Sequence, residues 1–509
     1  MARKSRHDLM LDVVKIASAR YLTRALLLLK TVVVARVLGP ADYGLIGLVV
    51  LVPTYGQWTD LGLLGGLVRK LPVLGRSAED RAERGRLLAT ATTSYGLLAA
   101  LVTLGVVAAA WWVDEPKLSA CLWFAAAVIP SQCLYNYFQN YHRARQEFGI
   151  VARSVAIHEL SSLVFTLILV FVIGAPGFFL AMFLSNVAAD AYLAITYRRS
   201  EGTLGLRWDR ARTVALLVAG FPLASTTIVH ALLLSLDRVV MSRAATREMV
   251  GHYMLALLVS GVIQYVPTSV GYILFPVLRE RAGGGRADTA TLQRYLREPT
   301  ETVAWVMAFF VAGAVVLLPA VPLILPDYRP GVAPARILTQ FTFFLAINAV
   351  ARNHLAALKT YWKPLLRFQV VVTLVTPLVI LGFLLGGTGV AGVATGMGIV
   401  YLVYGLGALA LAYRTCGMAT GRIVQALLWA ALPAGYVAVA LEVIHRVLTS
   451  WHVEGAAAAL AGLALLVPAS APLLLGLARR TPTFQLLKQA WRARARKSAP
   501  PASDIKGAN

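Results

Sequence analysis

Charge is scarce in this chain: Asp, Glu, Lys and Arg supply 14% of its 509 residues, while hydrophobic residues supply 58%. Soluble globular domains carry about 25% charged residues. The shortage therefore excludes an ordinary water-soluble fold, and a mean hydropathy of +0.69 makes lipid the solvent for most of the protein. Acid is scarcer still, with 24 Asp and Glu against 48 Lys and Arg. The three cysteines, Cys121, Cys133 and Cys416, are odd in number and lack metal-ligand spacing, which excludes a disulfide framework or a zinc site. They read as small apolar packing residues. No DxD, HExxH or nucleophile-elbow motif occurs. The first apolar run lacks a small-residue cleavage site, so it reads as a retained span and not as a signal peptide.

What the chain has is apolar runs of about 20 residues, the length that crosses the hydrocarbon layer. They recur along the whole sequence and predict an all-α polytopic membrane protein of about fourteen transmembrane helices. Six spans are expected near 12–37, 42–69, 87–112, 118–142, 149–173 and 177–197, and six more near 213–243, 251–278, 300–325, 337–359, 365–385 and 389–413. Two further spans, near 423–447 and 455–477, precede a basic, proline-containing tail. The expected organisation is an N-lobe over 1–204, a C-lobe over 205–420, two added helices over 421–478 and a tail over 479–509.

The formal charge of +24 would point to nucleic acid in a soluble chain, but the distribution of the cations gives another reason for it. With both termini in the cytoplasm, the cytoplasmic segments hold about 34 of the Lys and Arg and the external loops about 7. Adding or removing one span would invert the later loops and destroy this bias, so an even number of spans is expected. The two groups of six also share features at equivalent places. Tyr43-Gly44 opens span two and Gly251-His252-Tyr253 opens span eight. Arg69-Lys70-Leu71-Pro72 ends the former, and Phe275-Pro276 falls near the end of the latter. Spans four and ten end in the basic breaks His142-Arg143-Ala144-Arg145 and Lys359-Thr360-Tyr361-Trp362-Lys363. This is the pattern of a parallel repeat about an axis along the membrane normal.

Ionisable groups far from the span ends mark candidate functional positions, because each costs about 2.5–3.5 kcal/mol on insertion scales when it faces lipid. Arg20, Arg24 and Lys30 share one face of span one with Thr23 and Thr31. Two readings stand side by side: buried ion pairs that hold helices together, or a cationic lining for an anionic substrate. Acidic groups at membrane depth are few, among them Asp60, Glu159, Asp190, Asp237 and Glu442, which favours the lining. Span seven places Thr226, His230, Asp237 and Arg238 on one face. Asp237 and Arg238 either neutralise each other or meet substrate; His230 is either hydrogen-bonded packing or a titrating group. Asn348 and Arg352 stand four residues apart on span ten. Asn136, Gln139 and Asn140, interleaved with Tyr135, Tyr137, Phe138 and Tyr141, read first as an interfacial aromatic belt and second as a sugar-binding surface.

The stretch Ala35-Arg36-Val37-Leu38-Gly39-Pro40-Ala41-Asp42-Tyr43-Gly44, continued by Asp60-Leu61-Gly62-Leu63 and Leu67-Val68-Arg69, resembles the opening of bacterial polysaccharide flippases of the Wzx type. Their usual form is an LGPxxYG loop followed by a DLGL-like stretch. Leu236-Asp237-Arg238, Gly251-His252-Tyr253 and Phe275-Pro276 resemble the LDR, GxY and FP elements of the same family. The resemblance implies membership of the multidrug/oligosaccharidyl-lipid/polysaccharide (MOP) exporter superfamily. It implies two six-helix lobes around a V-shaped cavity, and movement of undecaprenyl-diphosphate-linked oligosaccharide across the bacterial inner membrane by alternating access. Arg20, Arg24, Lys30, Arg238 and Arg352 would then form a cationic cavity, with Asn348, His230, Asp237, Asn136 and Asn140 as polar candidates. Membrane lipids, a polysaccharide polymerase and export proteins are the implied partners, without nucleic acid. No cofactor or metal is implied, and coupling to an H+ or Na+ gradient stays open. The region after span one lacks the pattern associated with lipid II flippases.

Two rivals remain. An ion-coupled drug antiporter of the same superfamily would want an acidic cavity, which the basic face of span one opposes. An integral-membrane polymerase or ligase would need a catalytic group in a sizeable external loop, and every expected external loop is short.

Overall fold

The computed structural model of the protein describes residues 6–75, 77–264, 289–357 and 362–474, with side chains described from residue 26 onward except those of 289–292, 295, 356 and 357. Among the described residues there are helices and no strands. The first half comprises α1 (Arg6–Val49), α2 (Leu51–Gly56), α3 (Leu63–Lys70), α4 (Ala78–Trp111), α5 (Pro116–Ala144), α6 (Phe148–Ile173) and α7 (Ala175–Glu201). The second comprises α8 (Arg210–Leu233), α9 (Leu236–Ala244), α10 (Arg247–Ile263), α11 (Thr289–Leu317), α12 (Val321–Ile324), α13 (Val332–Ala357), α14 (Trp362–Leu385) and α15 (Gly389–Thr415). The helices α16 (Thr420–Ser450) and α17 (Gly455–Ala469) follow. Eleven described segments are long and apolar enough to cross a membrane, and Gly455–Ala469 is a shorter apolar helix. The Phe275-Pro276 motif and the residues Lys359-Thr360-Tyr361 lie outside the described residues.

These helices are built for lipid. On α6 the exposed residues Leu160, Val164, Ile168 and Phe171 repeat every three or four positions. The buried ones include Ser154, Ser162 and Thr166. That is the reverse of a soluble amphipathic helix, because hydrocarbon takes the apolar side and polar side chains must find partners inside. Trp111 and Trp112, at the end of α4, are 77% and 84% exposed. There they suit the headgroup layer. Where helices start in polar loops, side chains cap them. Ser77 Oγ accepts from the Asp80 amide (3.0 Å), and Asp209 Oδ1 from the Arg212 amide (3.0 Å).

One helix runs through two expected spans, and two other expectations of a continuous span fail. The 44-residue α1 departs from helical geometry at Gly39 (φ 71, ψ 174), which divides it into two arms belonging to spans one and two. Span two, expected to be continuous over 42–69, breaks at a 3-10 turn (Gln57–Asp60) followed by left-handed Leu61 and Gly62. The cause is local: Asp60 Oδ2 accepts the Leu64 amide (3.2 Å), an alternative to helical pairing that restarts the chain as α3. Span seven, expected to be continuous over 213–243, breaks between α8 and α9. There Ser235 Oγ donates back to the carbonyls of Ala231 and Leu232 (2.9 and 3.0 Å).

One buried cluster fills the first half around Tyr137, Phe138, Tyr141 and Tyr197, and another fills the second around Met307, Phe343, Ile347 and Tyr413. A third crosses between the halves and joins Tyr43, Leu45 and Ile46 to Val250, Tyr253, Leu338 and Tyr404. Tyr137, Phe138 and Tyr141 are therefore interior packing of the first half. The interfacial belt expected of them is corrected: Tyr197 on α7 supplies an aromatic partner that draws these rings inward.

Candidate functional site

The two halves meet along two seams, both made of glycine. In the first, the second arm of α1 crosses α10. A Cβ on Gly44 would overlap the Arg247 carbonyl, and one on Gly251 would overlap the Pro40 carbonyl. The backbones touch because neither residue has a side chain, which is how small residues bring apolar helices together in lipid. Around this crossing Glu115 and Arg247 form a two-pronged ion pair between the halves. Tyr328 Oη donates to the Ala35 carbonyl (3.0 Å), and Arg36 to the Ile324 carbonyl (3.1 Å).

The second seam joins α3 to α8. A Cβ on Gly66 would overlap the Leu216 carbonyl, and one on Gly220 the Gly62 carbonyl. Gly62 also has φ +100, a conformation side chains resist. Arg212 grips Glu83 with two bonds (3.0 and 2.8 Å), Thr213 Oγ1 lies 2.9 Å from Ser94 Oγ, and Arg69 donates to the Ala219 carbonyl (2.6 Å). The motif residues of the sequence thus converge on the contacts between the halves. Gly44 and Gly251 build one seam; Gly62 and Arg69 build the other.

Between the seams the two helix breaks are tied together, Tyr55 Oη lying 2.7 Å from Ser235 Oγ. Beside them is a cavity of about 290 Å³ lined by Tyr43, Leu234, Arg238, Leu257, Gln264 and Tyr401 among others. Asp237 is fully buried and already satisfied: Tyr253 Oη donates to Oδ2 (2.7 Å) and the Arg238 amide to Oδ1 (2.7 Å). Arg238 Nε stands 3.8 Å from Asp237 and has no hydrogen-bond partner among the described residues. Asp237 therefore leaves Nε of this guanidinium unbonded, on a residue that lines the cavity.

The other sequence candidates fall elsewhere. Lys30, 9% exposed, donates to Ser162 Oγ on α6 (2.7 Å) with Glu159 in electrostatic reach, so it turns into the first half and does not line the Arg238 cavity. Arg20 and Arg24 lie on α1 where side chains are outside the described residues. His230, Asn348 and Arg352 come together around Tyr404, which sequence reasoning missed. His230 Nδ1 lies 2.9 Å from its hydroxyl, Asn348 Nδ2 donates to its carbonyl (3.2 Å), and Arg352 reaches its hydroxyl. Gln369 donates to the same hydroxyl (2.7 Å). A lone amide in the apolar run of α14 was the available signal for it. Asn136 and Asn140 bond within α5, Asn140 Nδ2 donating to the Asn136 carbonyl (2.8 Å). Neither lines the Arg238 cavity. Among the described residues no group of three or more His, Cys, Asp or Glu is arranged to hold a metal.

The ion pair of the first seam has a defined pH dependence. The Arg247 guanidinium holds the Glu115 carboxyl below its ordinary range. A carboxylate with a depressed pKa contributes its stabilisation above the unpaired value and loses it as pH falls through the paired one. The latch is thus fully made at neutral pH and persists into the acid range. Measured relative to a fully exposed reference thiol, whose own thiolate fraction falls with pH, a cysteine placed beside Gly251 should keep the same reactivity from about pH 7 down to about pH 5. In Glu115→Gln that reactivity should rise at every pH; equal reactivity in both would leave the pair without a role in the seam.

Comparison with known proteins places this geometry. A family model described as "Polysaccharide biosynthesis protein" matches residues 33–327, from the second half of α1 to the loop before α13, and so includes both seams. No curated protein matches the chain. Among solved structures it is similar to the lipid II flippase MurJ in an inward closed conformation, at 13% identity over 92% of this chain and 100% of that one, with a TM-score of 0.69. It is also similar to an inward-facing multidrug resistance MATE family transporter of the MOP superfamily, at 14% identity over 79% of this chain and 95% of that one (TM-score 0.58). An outward-facing MATE family transporter matches at 14% identity over 81% and 96%, with a TM-score of 0.51. At such low identities these TM-scores show a shared fold and no more.

Proposed function

This chain belongs to the polysaccharide biosynthesis protein family, and on that premise we propose that it is a flippase for undecaprenyl-diphosphate-linked oligosaccharide. It carries the repeat unit from the inner to the outer leaflet of a bacterial cytoplasmic membrane, with the basic loops in the cytoplasm. One observation carries the reading: the two halves touch along two separate glycine seams, with a cavity holding the under-paired Arg238 between them. Opening one seam while the other stays shut exposes that cavity to one side at a time, which is transport by alternating access.

A diphosphate crossing hydrocarbon needs cationic company, since an unpaired charge there is costly. In this reading Arg238 supplies it, and Arg20 and Arg24 on the first arm of α1 add to it. An organic cation, the substrate of a drug antiporter, would meet repulsion from Arg238.

The test is translocation of a labelled diphosphate-linked oligosaccharide in proteoliposomes. Arg238→Ala should lower the initial rate by roughly tenfold, the loss of one hydrogen bond to a charged group. Arg238→Lys should restore part of it, since an ammonium keeps the charge without the fork. An unchanged rate in Arg238→Ala combined with alanine at Arg20, Arg24 and Lys30 would overturn the cationic path.

A further inference from the structure

A second charged cleft lies away from both seams. It sits between the first turns of α11 and α16 and measures about 470 Å³. Gln293 Nε2 donates to the Cys416 carbonyl (2.9 Å) and fixes the start of α11 against the loop that enters α16. From α11 come Arg294 and Arg297, each bonded to a glutamate one turn on: Arg294 Nε to Glu298 (2.5 Å) and Arg297 Nε to Glu301 (2.7 Å). From α16 comes Arg422, exposed and with no ion pair among the described residues.

We propose that this cleft binds the phosphodiester headgroup of an anionic membrane lipid, in the leaflet that faces the basic loops. Three features of the cleft converge on that ligand. The first is charge: three arginines against two glutamates leave one positive charge, which one phosphodiester neutralises and a diphosphate exceeds. The second is donor supply. Each guanidinium carries five N–H groups, so Arg297 keeps donors after meeting Glu301, and Arg422 brings a full fork.

The third is depth. Arg422, Gln425, Ala426 and Trp429 follow at helical spacing along one face of α16, and all four line the cleft. The order runs from charge through amide and methyl to indole, as a lipid runs from phosphate through glycerol to acyl chain. Basic pockets between helices at the cytoplasmic surface bind lipid headgroups on the same physical grounds.

The experiment uses the full chain in nanodiscs of phosphatidylcholine with or without phosphatidylglycerol, read by native mass spectrometry after release. The wild type should retain one phosphatidylglycerol in preference to phosphatidylcholine. Arg422→Ala should weaken that retention about fivefold, the worth of one cation near a membrane surface. Arg422→Lys should keep most of it, which shows that the alanine effect is loss of charge and not of fold. Equal retention of the two lipids, or retention unchanged in Arg422→Ala, overturns the proposal. So does displacement of phosphatidylglycerol by equimolar farnesyl diphosphate, which would make the cleft a diphosphate site. The readout is binding and not translocation, so its failure is distinct from failure of the flippase reading.

Discussion

Gly251→Leu should stop transport while leaving the protein folded in the membrane. A Cβ at this position collides with the carbonyl, the carbonyl carbon and the Cα of Pro40, all backbone atoms that cannot rotate away. The crossing of α1 and α10 must spread to accept it. Overpacking of this kind costs about 1–3 kcal/mol or more, charged only to the state in which this seam is shut. A two-state equilibrium biased by that amount moves by roughly tenfold to a hundredfold, and the cycle stalls with the seam open. Gly44→Leu meets the Arg247 carbonyl and the Gly251 amide and should behave alike. The check is a pair of measurements: translocation falling by about a hundredfold, and a cysteine introduced beside Tyr43 becoming reactive to an impermeant thiol reagent. Normal transport in both leucine variants would show that the seam need not close.

The opposite seam offers a reversible arrest. Ser94 and Thr213 face each other across it with hydroxyl oxygens 2.9 Å apart. Replacing both by cysteine places two sulfurs where a disulfide can form. The three native cysteines, all buried, are first replaced by alanine or serine so that only the new pair reacts. Oxidation should bring transport to the empty-liposome background, since the bond would have to break at every cycle. Reduction should restore it, which no misfolded variant would do. Full activity in the oxidised, cross-linked protein would mean that α4 and α8 stay together throughout the cycle, and that the cavity opens by another route.

The sequence made the helical, membrane-spanning architecture legible because lipid imposes a crude and repeated constraint: about 20 apolar residues for each crossing. The breaks inside spans two and seven were not legible. They depend on Asp60 and Ser235 bonding to nearby backbone, and the same residues are equally compatible with an unbroken apolar run. Motifs were readable as motifs, but their task was hidden. That Gly44 opposes Arg247 and Gly251 opposes Pro40 is a fact of three-dimensional contact between residues about 200 positions apart, which no local pattern encodes. The site was legible in part. Asp237 and Arg238 stood out as charges in an apolar run, yet only Tyr253, donating to Asp237, separates the satisfied carboxylate from the under-paired guanidinium. Tyr404 gave no sign, because a tyrosine in an apolar helix reads as packing until its neighbours are known.

Gly39 carries a consequence for how the protein is made. A side chain there would touch nothing, so sterics from neighbours do not select glycine. The backbone does: φ 71 with ψ 174 is a combination that essentially only glycine adopts. The arms on either side share this single residue as their joint, with no loop between them to absorb an error. During synthesis the second arm therefore cannot find its depth independently of the first. An alanine at position 39 should show itself at the ribosome and translocon, as poor insertion and rapid degradation, before any cargo is at stake.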